Sequence, residues 1–222
     1  GGYHSALRVA TPRRAARSSS PLLGPFDPPG GAADSVKARE AALVGWLEEN
    51  GVRLSAESGW GRAAHPLRVE TDTVEDFEIS GRGLIARKEI TQGEQIVCVP
   101  SSLILTREAA QRVLGRRVVP DSLNEYLAIA LLLMHERALG DRSFWGPYIN
   151  LLPTTEEVGQ SWTWGEEDMA MLSGSSVVDS TASLRDKVRR EFDMITNECI
   201  LPNGPDRTAF TFEAFEWAMS ML

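Results

Sequence analysis

The sequence is poor in cysteine and histidine and contains no long apolar run. Its two cysteines, Cys98 and Cys199, lie far apart and match neither a disulfide framework nor a zinc-binding spacing. A reducing, intracellular setting fits them best. The His135-Glu136 pair has no second histidine four residues on, which excludes a zinc-protease helix. The longest apolar run, residues 127–134, is far too short to cross a membrane.

Charge is unevenly distributed along the chain. The formal net charge is −8, and residues 1–26 carry four arginines and no acidic residue, so the remainder carries −12. This acidic remainder argues against binding of nucleic acid phosphates as the main function. It favours basic, lysine-bearing protein partners, or it is only a solvated surface; both interpretations stay open.

Residues 1–35 are predicted to be a disordered leader rich in arginine, serine and proline. A basic, serine-rich start followed by a Pro-Pro-Gly-Gly run at residues 28–31 is typical of an organelle transit peptide, with a plastid as one destination. This composition is equally typical of a disordered tail that has no targeting role, and in that case the expected location of the protein is the cytoplasm or nucleus. The first residue is Gly rather than Met, so the true beginning is expected to lie upstream.

Residues 36–74 are predicted to be a helix followed by a linker. The helix is expected over residues 36–50, with Ser35 as its N-cap and Gly51 at its end. Residues 52–74 are weakly patterned and are assigned to the linker.

Residues 75–105 are predicted to form short β-strands. Glycine turns between short apolar segments are typical of antiparallel hairpins rather than of β-α-β units. The expected pieces are an alternating segment at Phe77 and Ile79, a glycine turn at 80–83, and a further short β segment at 84–86 followed by Ile90. A turn at 91–94, a second strand at 95–100 and a third short piece at 103–105 follow. Cys98 lies within the second of these strands, where it is expected to pack against other side chains.

Residues 106–222 are predicted to be mainly helical. Helices are expected over residues 106–115, 122–139, 165–173 and 179–200, and from 211 to the last residue, with Thr106, Asp121 and Thr211 as N-caps. Trp145 and Tyr148, in an aromatic-rich irregular segment at 143–153, are expected to pack between helices. The predicted fold class is α+β, with short antiparallel hairpins followed by a mainly helical part.

Other motifs that carry chemistry are absent or incomplete. Gly81-Arg82-Gly83 lacks the third glycine of a dinucleotide fingerprint, and there is no phosphate-binding loop. The Ser-Gly-Ser run at 173–175 fits a helix end better than a nucleophile elbow. The acidic residues 166–168 are interpreted as complementing a helix dipole rather than as an acid/base pair. No metal site is predicted.

Four motifs in a fixed order, from about Trp46 to the last residue, resemble the SET-domain methyltransferase family. The similar branch is that of the Rubisco large-subunit lysine methyltransferase, which also includes an actin histidine methyltransferase. The motifs are Gly45-Trp46-Leu47-x-x-Asn50-Gly51; Ser80-Gly81-Arg82-Gly83-Leu84-Ile85-Ala86 with Ile90-x-x-Gly93-Glu94-x-Ile96-x-x-Val99-Pro100; Ser143-Phe144-Trp145-x-Pro147-Tyr148-Ile149-x-x-Leu152-Pro153; and Phe210-Thr211-Phe212-x-x-Phe215-x-Trp217-Ala218. They resemble, in turn, the helix before the domain, the N-terminal SET sheet, an aromatic signature of the helical insert and the closing helix of that insert.

The resemblance implies S-adenosylmethionine as the cofactor. The implied contacts are Ser80, Gly81, Arg82 and Gly83, chiefly through main-chain groups, because glycine allows the backbone to approach a ligand closely. Pro147 is a weaker candidate for a further contact. The implied partner is a protein substrate with a target lysine, histidine being the alternative, and neither nucleic acid nor a membrane.

The resemblance also implies an incomplete SET domain. A complete member continues past the last helix into an arginine that holds the cofactor, an Asn-His segment and an active-site tyrosine. This sequence has no Asn-His pair, and Tyr3, Tyr126 and Tyr148 lie in other places. No catalytic residue is therefore assigned, and the chain by itself is expected to be an inactive fragment of a protein-lysine N-methyltransferase.

Two other functions remain as alternatives. One is a non-catalytic interaction module that uses the helical insert to hold another protein. The other is an unrelated mixed α/β nucleotide binder, which is disfavoured because the β segments do not form β-α-β units.

Overall fold

The computed structural model describes residues 32–52, 67–75, 78–205 and 207–222. The chain divides into two compact units, Gly1–Leu103 and Ile104–Leu222. The predicted leader, apart from its last four residues, lies outside the described residues, so its disorder and its role in targeting remain predictions.

The first unit contains a helix and a β-hairpin. Helix α1 spans Ala32–Glu49, and strands β1 (Leu67–Glu75) and β2 (Glu78–Ala86) pair in antiparallel fashion. The helix begins earlier than predicted, and Ser35 lies inside it rather than at its N-cap. Alanines, which favour helix, occupy its first positions and account for the extension. The predicted end is confirmed, because Gly51 has a φ of 84°.

Strand β1 corrects the assignment of residues 67–74 to a linker, whereas residues 53–66 of that predicted linker lie outside the described part of the chain. Charged residues alternate here with Leu67, Val69, Thr71 and Thr73. This period of two predicts a strand, although the composition of the segment by itself does not. A second correction concerns the glycine segment at 80–83, which lies within β2 instead of forming a turn. Glycine inside a strand marks a bulge or a close backbone approach as often as a turn.

The segment after the hairpin is less regular than predicted. The turn at 91–94 is confirmed, with Gly93 at a φ of 86°. The strands predicted at 95–100 and 103–105 are wrong: Cys98 forms only an isolated bridge and Ser101–Leu103 is a 3-10 helix. Cys98 is also exposed rather than packed. A strand needs a partner for its backbone groups, and in the described ranges the only regular sheet is the β1-β2 hairpin.

The second unit is helical. Its helices are α2 (Arg107–Leu114), α3 (Glu125–Leu139), α4 (Gly146–Ile149), α5 (Thr155–Val158), α6 (Glu166–Met171), α7 (Val177–Ile195) and α8 (Phe212–Ser220). Short 3-10 helices span Gly140–Arg142, Ser161–Thr163 and Arg207–Ala209, and a π-helical turn, Thr196–Ile200, continues α7. A hairpin followed by helices confirms the predicted α+β class. None of the helices among the described residues has both the length and the hydropathy needed to cross a bilayer.

Local capping confirms two of the predicted helix starts. Thr106 Oγ1 accepts a hydrogen bond from the Ala109 N–H at 3.2 Å, and Thr211 caps α8 in the same manner. Gly115 ends α2 with a φ of 85°. These groups satisfy backbone donors and acceptors that a helix end leaves without partners.

The predicted cap of α3 is wrong. Asn124 is the N-cap, and its side chain accepts a hydrogen bond from the Tyr126 N–H at 3.2 Å. The Asp121 carboxylate is used elsewhere: it accepts hydrogen bonds from Gln111 and Arg116, both at 2.8 Å. These contacts tie the connection between α2 and α3, so the helix begins only after it.

Helix α3 forms the centre of the second unit's core. Leu131 and Leu132 are fully buried on it, and Phe215 of α8 is fully buried as well. The Phe192 ring of α7 lies 5.5 Å from the Phe215 ring. Helix α8 thus packs on α3, which is apolar on nearly all sides, and α7 packs on α8.

Candidate functional site

The register of the hairpin is irregular at the candidate cofactor residues. Gly83 pairs with Glu70 and Gly81 with Thr73, so β1 has an extra residue between these pairs. On the other side of Gly81, the register passes over Ser80, which makes Ser80 the extra residue of β2. A bulged residue leaves the regular ladder, and bulges are common beside binding sites because they redirect the backbone.

Glycine spacing removes two successive side chains from one face of β2. Residues two apart point to the same face of a strand, so Gly81 and Gly83 share a face and Arg82 points to the other. The Arg82 Nε donates to Glu40 Oε1 of α1 at 2.9 Å, and the Glu40 side chain is largely buried. The arginine side chain is therefore engaged with α1, whereas Gly81 and Gly83 offer main chain alone on the opposite face of the strand.

Pro147 lies in the second unit, in the first turn of α4. Proline fits that position because the first-turn N–H groups have no partner inside a helix. Trp145 precedes the helix as its N-cap and supplies no side-chain cap. The structure therefore places Ser80–Gly83 together on one strand and Pro147 on a separate helix of the other unit.

The aromatic segment around Pro147 packs as predicted. Trp145 is buried, and its ring centroid lies 5.4 Å from Phe144 and 6.4 Å from Tyr148 in edge-to-face geometry. Burial raises the pKa of the Tyr148 phenol. At the other end of the segment, Trp217 Nε1 donates to the Pro153 carbonyl at 3.0 Å. The segment is thus held by α8 as well as by its own rings.

A buried polar pair lies at the start of the same segment. Ser143 Oγ donates to Glu136 Oε2 at 2.6 Å and accepts a hydrogen bond from the Trp145 N–H at 3.0 Å. Glu136 is only 4% exposed. Sequence reasoning missed this pair, although a signal existed: Glu136 continues, at a spacing of four, the fully buried face that contains Ala128 and Leu132.

The best-defined surface depressions lie away from these residues. One, of about 600 Å³, is an open depression between α6 and the start of α7, lined in part by Ser173 and Ser176. Another, of about 400 Å³, lies between the start of α3 and the end of α7, beside Tyr126 and Cys199. Neither depression contains a predicted cofactor residue.

Metal chemistry finds no support in the described ranges. They contain no group of three histidine, cysteine, aspartate or glutamate residues placed to hold an ion. The acidic first turn of α6 is used for capping instead, since Asp168 accepts a hydrogen bond from the Gly165 N–H at 3.2 Å.

Three known proteins that are similar to this chain are all N-methyltransferases. No family model matches the chain. The chain is 32% identical over 181 residues to the chloroplastic Rubisco large-subunit N-methyltransferase of Pisum sativum, with 80% of this chain and 33% of that protein covered. It is 28% identical over 180 residues to the chloroplastic fructose-bisphosphate aldolase-lysine N-methyltransferase of Arabidopsis thaliana, covering 80% and 33%. It is also 28% identical over 188 residues to the actin-histidine N-methyltransferase of Mus musculus, covering 81% and 29%.

A solved structure shares the fold. The crystal structure of the SET domain of LSMT bound to methyllysine and AdoHcy matches with a TM-score of 0.63 and 28% identity, over 83% of this chain and 38% of that one. The predicted resemblance to the SET-domain methyltransferase family is thus confirmed. Within that family, the relatives support the branch of the Rubisco large-subunit N-methyltransferases. It spans about one third of the length of the curated relatives it matches.

Proposed function

We propose that this chain supplies the N-terminal SET strands and the helical insert of an S-adenosylmethionine-dependent protein methyltransferase, with lysine as the expected target. The glycine face of β2 is the observation that carries this proposal. Gly81 and Gly83 remove two Cβ atoms from one face, and the bulge at Ser80 redirects the main chain beside them. The names of the relatives, which methylate protein lysine or histidine, support the class of substrate.

The residues present fit the methyl donor. A flat adenosine and a sulfonium chain require close approach to backbone, which the glycine face permits. When bound, S-adenosylmethionine supplies an electrophilic methyl group. The role of Ser80–Gly83 is to bind and orient it through main-chain groups, because the Arg82 side chain is held by Glu40. Pro147 is proposed, on the resemblance, as an apolar contact to the donor.

A methyl acceptor lysine must react as the neutral amine. Its ordinary pKa is about 10.4, so a methyltransferase site has to favour the deprotonated form and align it with the methyl group. The sequence has no Asn-His pair, and Tyr3, Tyr126 and Tyr148 do not match the position of the tyrosine that the resemblance associates with this step. We therefore propose that the chain binds the donor and does not, by itself, transfer methyl.

Residue-resolved NMR titration with S-adenosylmethionine tests donor binding. The Arg82 and Gly83 amide resonances are expected to shift and saturate. Gly83→Ala adds a Cβ to the glycine face and should weaken binding at least about tenfold, or about 1.4 kcal/mol. Gly45→Ala is the matched control, because a Cβ there meets nothing within 4 Å. Absence of shifts at β2 would contradict the proposal and favour the interaction-module alternative.

A transfer assay tests the second part. The chain is mixed with labelled S-adenosylmethionine and the large subunit of Rubisco, the substrate named for the pea relative. No incorporation is expected. Label recovered as methyllysine would confirm the class and refute the inactivity of this chain, and label recovered as methylhistidine would also change the target residue.

We also propose a plastid location. Support comes from the composition of residues 1–35 and from the chloroplastic relatives of pea and tobacco. The test is the distribution of a fluorescent protein that carries residues 1–35 at its N-terminus in plant cells. A diffuse cytoplasmic signal would contradict the proposal.

A further inference from the structure

The depression of about 400 Å³ between the start of α3 and the end of α7 lies wholly in the second unit and has two kinds of lining. Its charged part is formed by the carboxylates of Glu191 and Glu198, and none of the described residues that line it is basic. Its apolar part is formed by Pro120, Leu123, Leu127 and Met194. The volume falls within the range of about 300–1,000 Å³ that is usual for small-ligand sites. Such a lining matches a ligand with an apolar stem and a cationic end.

The Glu191 carboxylate has one oxygen in use and one without a donor. The Tyr126 hydroxyl donates to Oε1, and Lys187 Nζ lies 3.9 Å from that same oxygen. Oε2 is buried, and no described residue donates a hydrogen bond to it, although the whole side chain is only 14% exposed. A buried carboxylate oxygen without a donor is unfavourable and needs an explanation. A bound cationic group would supply the missing donor.

The walls of the depression are held in place by the protein itself. Gln111 Nε2 donates to the Val119 carbonyl at 3.0 Å and so fixes the α2-α3 connection. Asn203 Nδ2 donates to the Arg117 carbonyl at 2.7 Å and to the Cys199 carbonyl at 2.9 Å, which links that connection to the end of α7. A ligand therefore does not have to order these segments, and a preorganised site binds more tightly for that reason.

A π-helical turn forms part of one wall. The Leu201 N–H donates to the Thr196 carbonyl, five residues back, at 2.9 Å. Glu198 and Cys199 belong to this turn, and both line the depression. Single π-helical turns are rare and occur frequently at functional sites. Burial raises the pKa of the Cys199 thiol, which keeps it neutral and a poor nucleophile, so the turn points to binding rather than to covalent chemistry.

The charge around the depression selects the class of ligand. Residues 104–222 carry eleven basic against eighteen acidic residues, a formal net charge of −7. An acidic surface attracts a basic partner and repels an anion. A metal ion fits less well, because the described ranges contain no group of three ligating side chains placed to hold one. These observations leave an organic cation.

We propose that this depression binds a basic side chain, arginine or lysine, of a protein segment. The aliphatic stem lies against the apolar part of the lining, and the cationic head donates to Glu191 Oε2 and to the exposed Glu198 carboxylate at the mouth. The inference goes beyond donor binding and does not rest on it, because every residue that it uses lies in the second unit.

The test is an NMR titration of the full chain with three capped tripeptides. Acetyl-Gly-Arg-Gly-amide and acetyl-Gly-Lys-Gly-amide carry the two basic side chains, and acetyl-Gly-citrulline-Gly-amide has nearly the shape of the first without its charge. At least one basic peptide is expected to shift the Asn124 and Met194 amide resonances to saturation, with a Kd of about 1 mM or tighter. The citrulline peptide should bind at least about tenfold more weakly than the arginine peptide.

Three variants identify the carboxylate that is responsible. Glu191→Gln removes the charge but keeps an acceptor for the Tyr126 hydroxyl, and it should weaken binding of the basic peptide at least about tenfold. Glu198→Gln changes an exposed side chain, which leaves the core intact, and should weaken binding about threefold. Asp193→Asn is the matched control, because it removes the same charge from an exposed position of α7 outside the depression and should bind within about twofold of the wild type.

The outcomes separate a defined site from general attraction between opposite charges. Saturating shifts at the depression, together with the stated order of the peptides and variants, would support the inference. Absence of saturation, equal affinity for the arginine and citrulline peptides, or a loss at Asp193→Asn as large as that at Glu191→Gln would overturn it. If Glu191→Gln lowers the Tm, Glu198→Gln decides, and an unchanged affinity there also overturns the inference. Because no S-adenosylmethionine is present, failure here leaves the proposed donor binding standing.

Discussion

The contribution of Phe215 to stability can be predicted from its surroundings. It is fully buried on α8, and the Phe192 ring lies 5.5 Å from it. Phe215→Ala removes the ring from the centre of a helical core, which costs the transfer free energy of the lost atoms and the free energy of the cavity left behind. The expected loss in the free energy of unfolding is about 3–5 kcal/mol.

The matched control is Phe144→Ala, the same substitution at a ring that is 51% exposed. Its edge-to-face contact with Trp145 is a partial contact only, so about 1 kcal/mol should be lost. Phe215→Leu keeps an apolar side chain of nearly the same size and should fall between the two.

Urea unfolding followed by far-ultraviolet circular dichroism measures these losses. In thermal unfolding, at about 2–4 °C per kcal/mol for a chain of this size, Phe215→Ala should lower the Tm by about 6–20 °C. Domains are commonly stable by about 5–15 kcal/mol, so a loss of this size leaves the variant folded unless the stability of the wild type lies near the lower end of that range. A loss at Phe215 no larger than that at Phe144 would refute the placement of α8 in the core.

Two further predictions concern the second unit. Gly115→Ala should destabilise the chain by about 1 kcal/mol or more, because Gly115 ends α2 at a φ of 85°, where side chains are strained. The control Gly45→Ala should not destabilise the chain, because a Cβ at that position would lie in open space. Equal losses in the free energy of unfolding, measured with urea, would argue against strain at Gly115. Burial and the Glu191 carboxylate, to which the Tyr126 hydroxyl donates, raise the pKa of Tyr126 from its ordinary value near 10 to about 12. The folded state therefore holds this proton longer than the unfolded state, so the stabilisation is complete below about pH 10 and is lost as the pH rises through about 12. The stability gap between wild type and Tyr126→Phe should narrow over that interval, and a gap independent of pH would contradict the assignment.

The helices were predictable because their boundaries depend on neighbouring residues. Thr106 and Thr211 cap the helices that follow them through bonds to amides three residues on. Such contacts are determined by local sequence, and periodic apolar residues then indicate which face is buried. Asp121 shows the limit of this reasoning: it has the chemistry of a cap, yet its carboxylate accepts hydrogen bonds from Gln111 of α2 and from Arg116 in the α2-α3 connection.

Strand pairing and the buried polar pair were harder to predict for a common reason. Each depends on a partner that the local sequence does not identify. A strand signal exists in β1, but only its pairing with β2 shows that residues 80–83 are extended. Glu136 and Ser143 lie on two sides of a turn, and nothing in either residue type indicates that their side chains meet in the core.

The candidate donor contact depends on whether its glycines lie in a turn or in a strand. In a turn, glycine is required for a positive φ, and asparagine could replace it. In β2 the motif instead requires the absence of a Cβ on one face. Every residue type other than glycine carries a Cβ, so none of them can replace glycine there. Strand alternation also places Arg82 on the opposite face, where it reaches Glu40, so a single tripeptide attaches the hairpin to α1 and leaves bare main chain on its other side. Strand alternation thus explains why the motif suits a ligand that contacts main-chain groups.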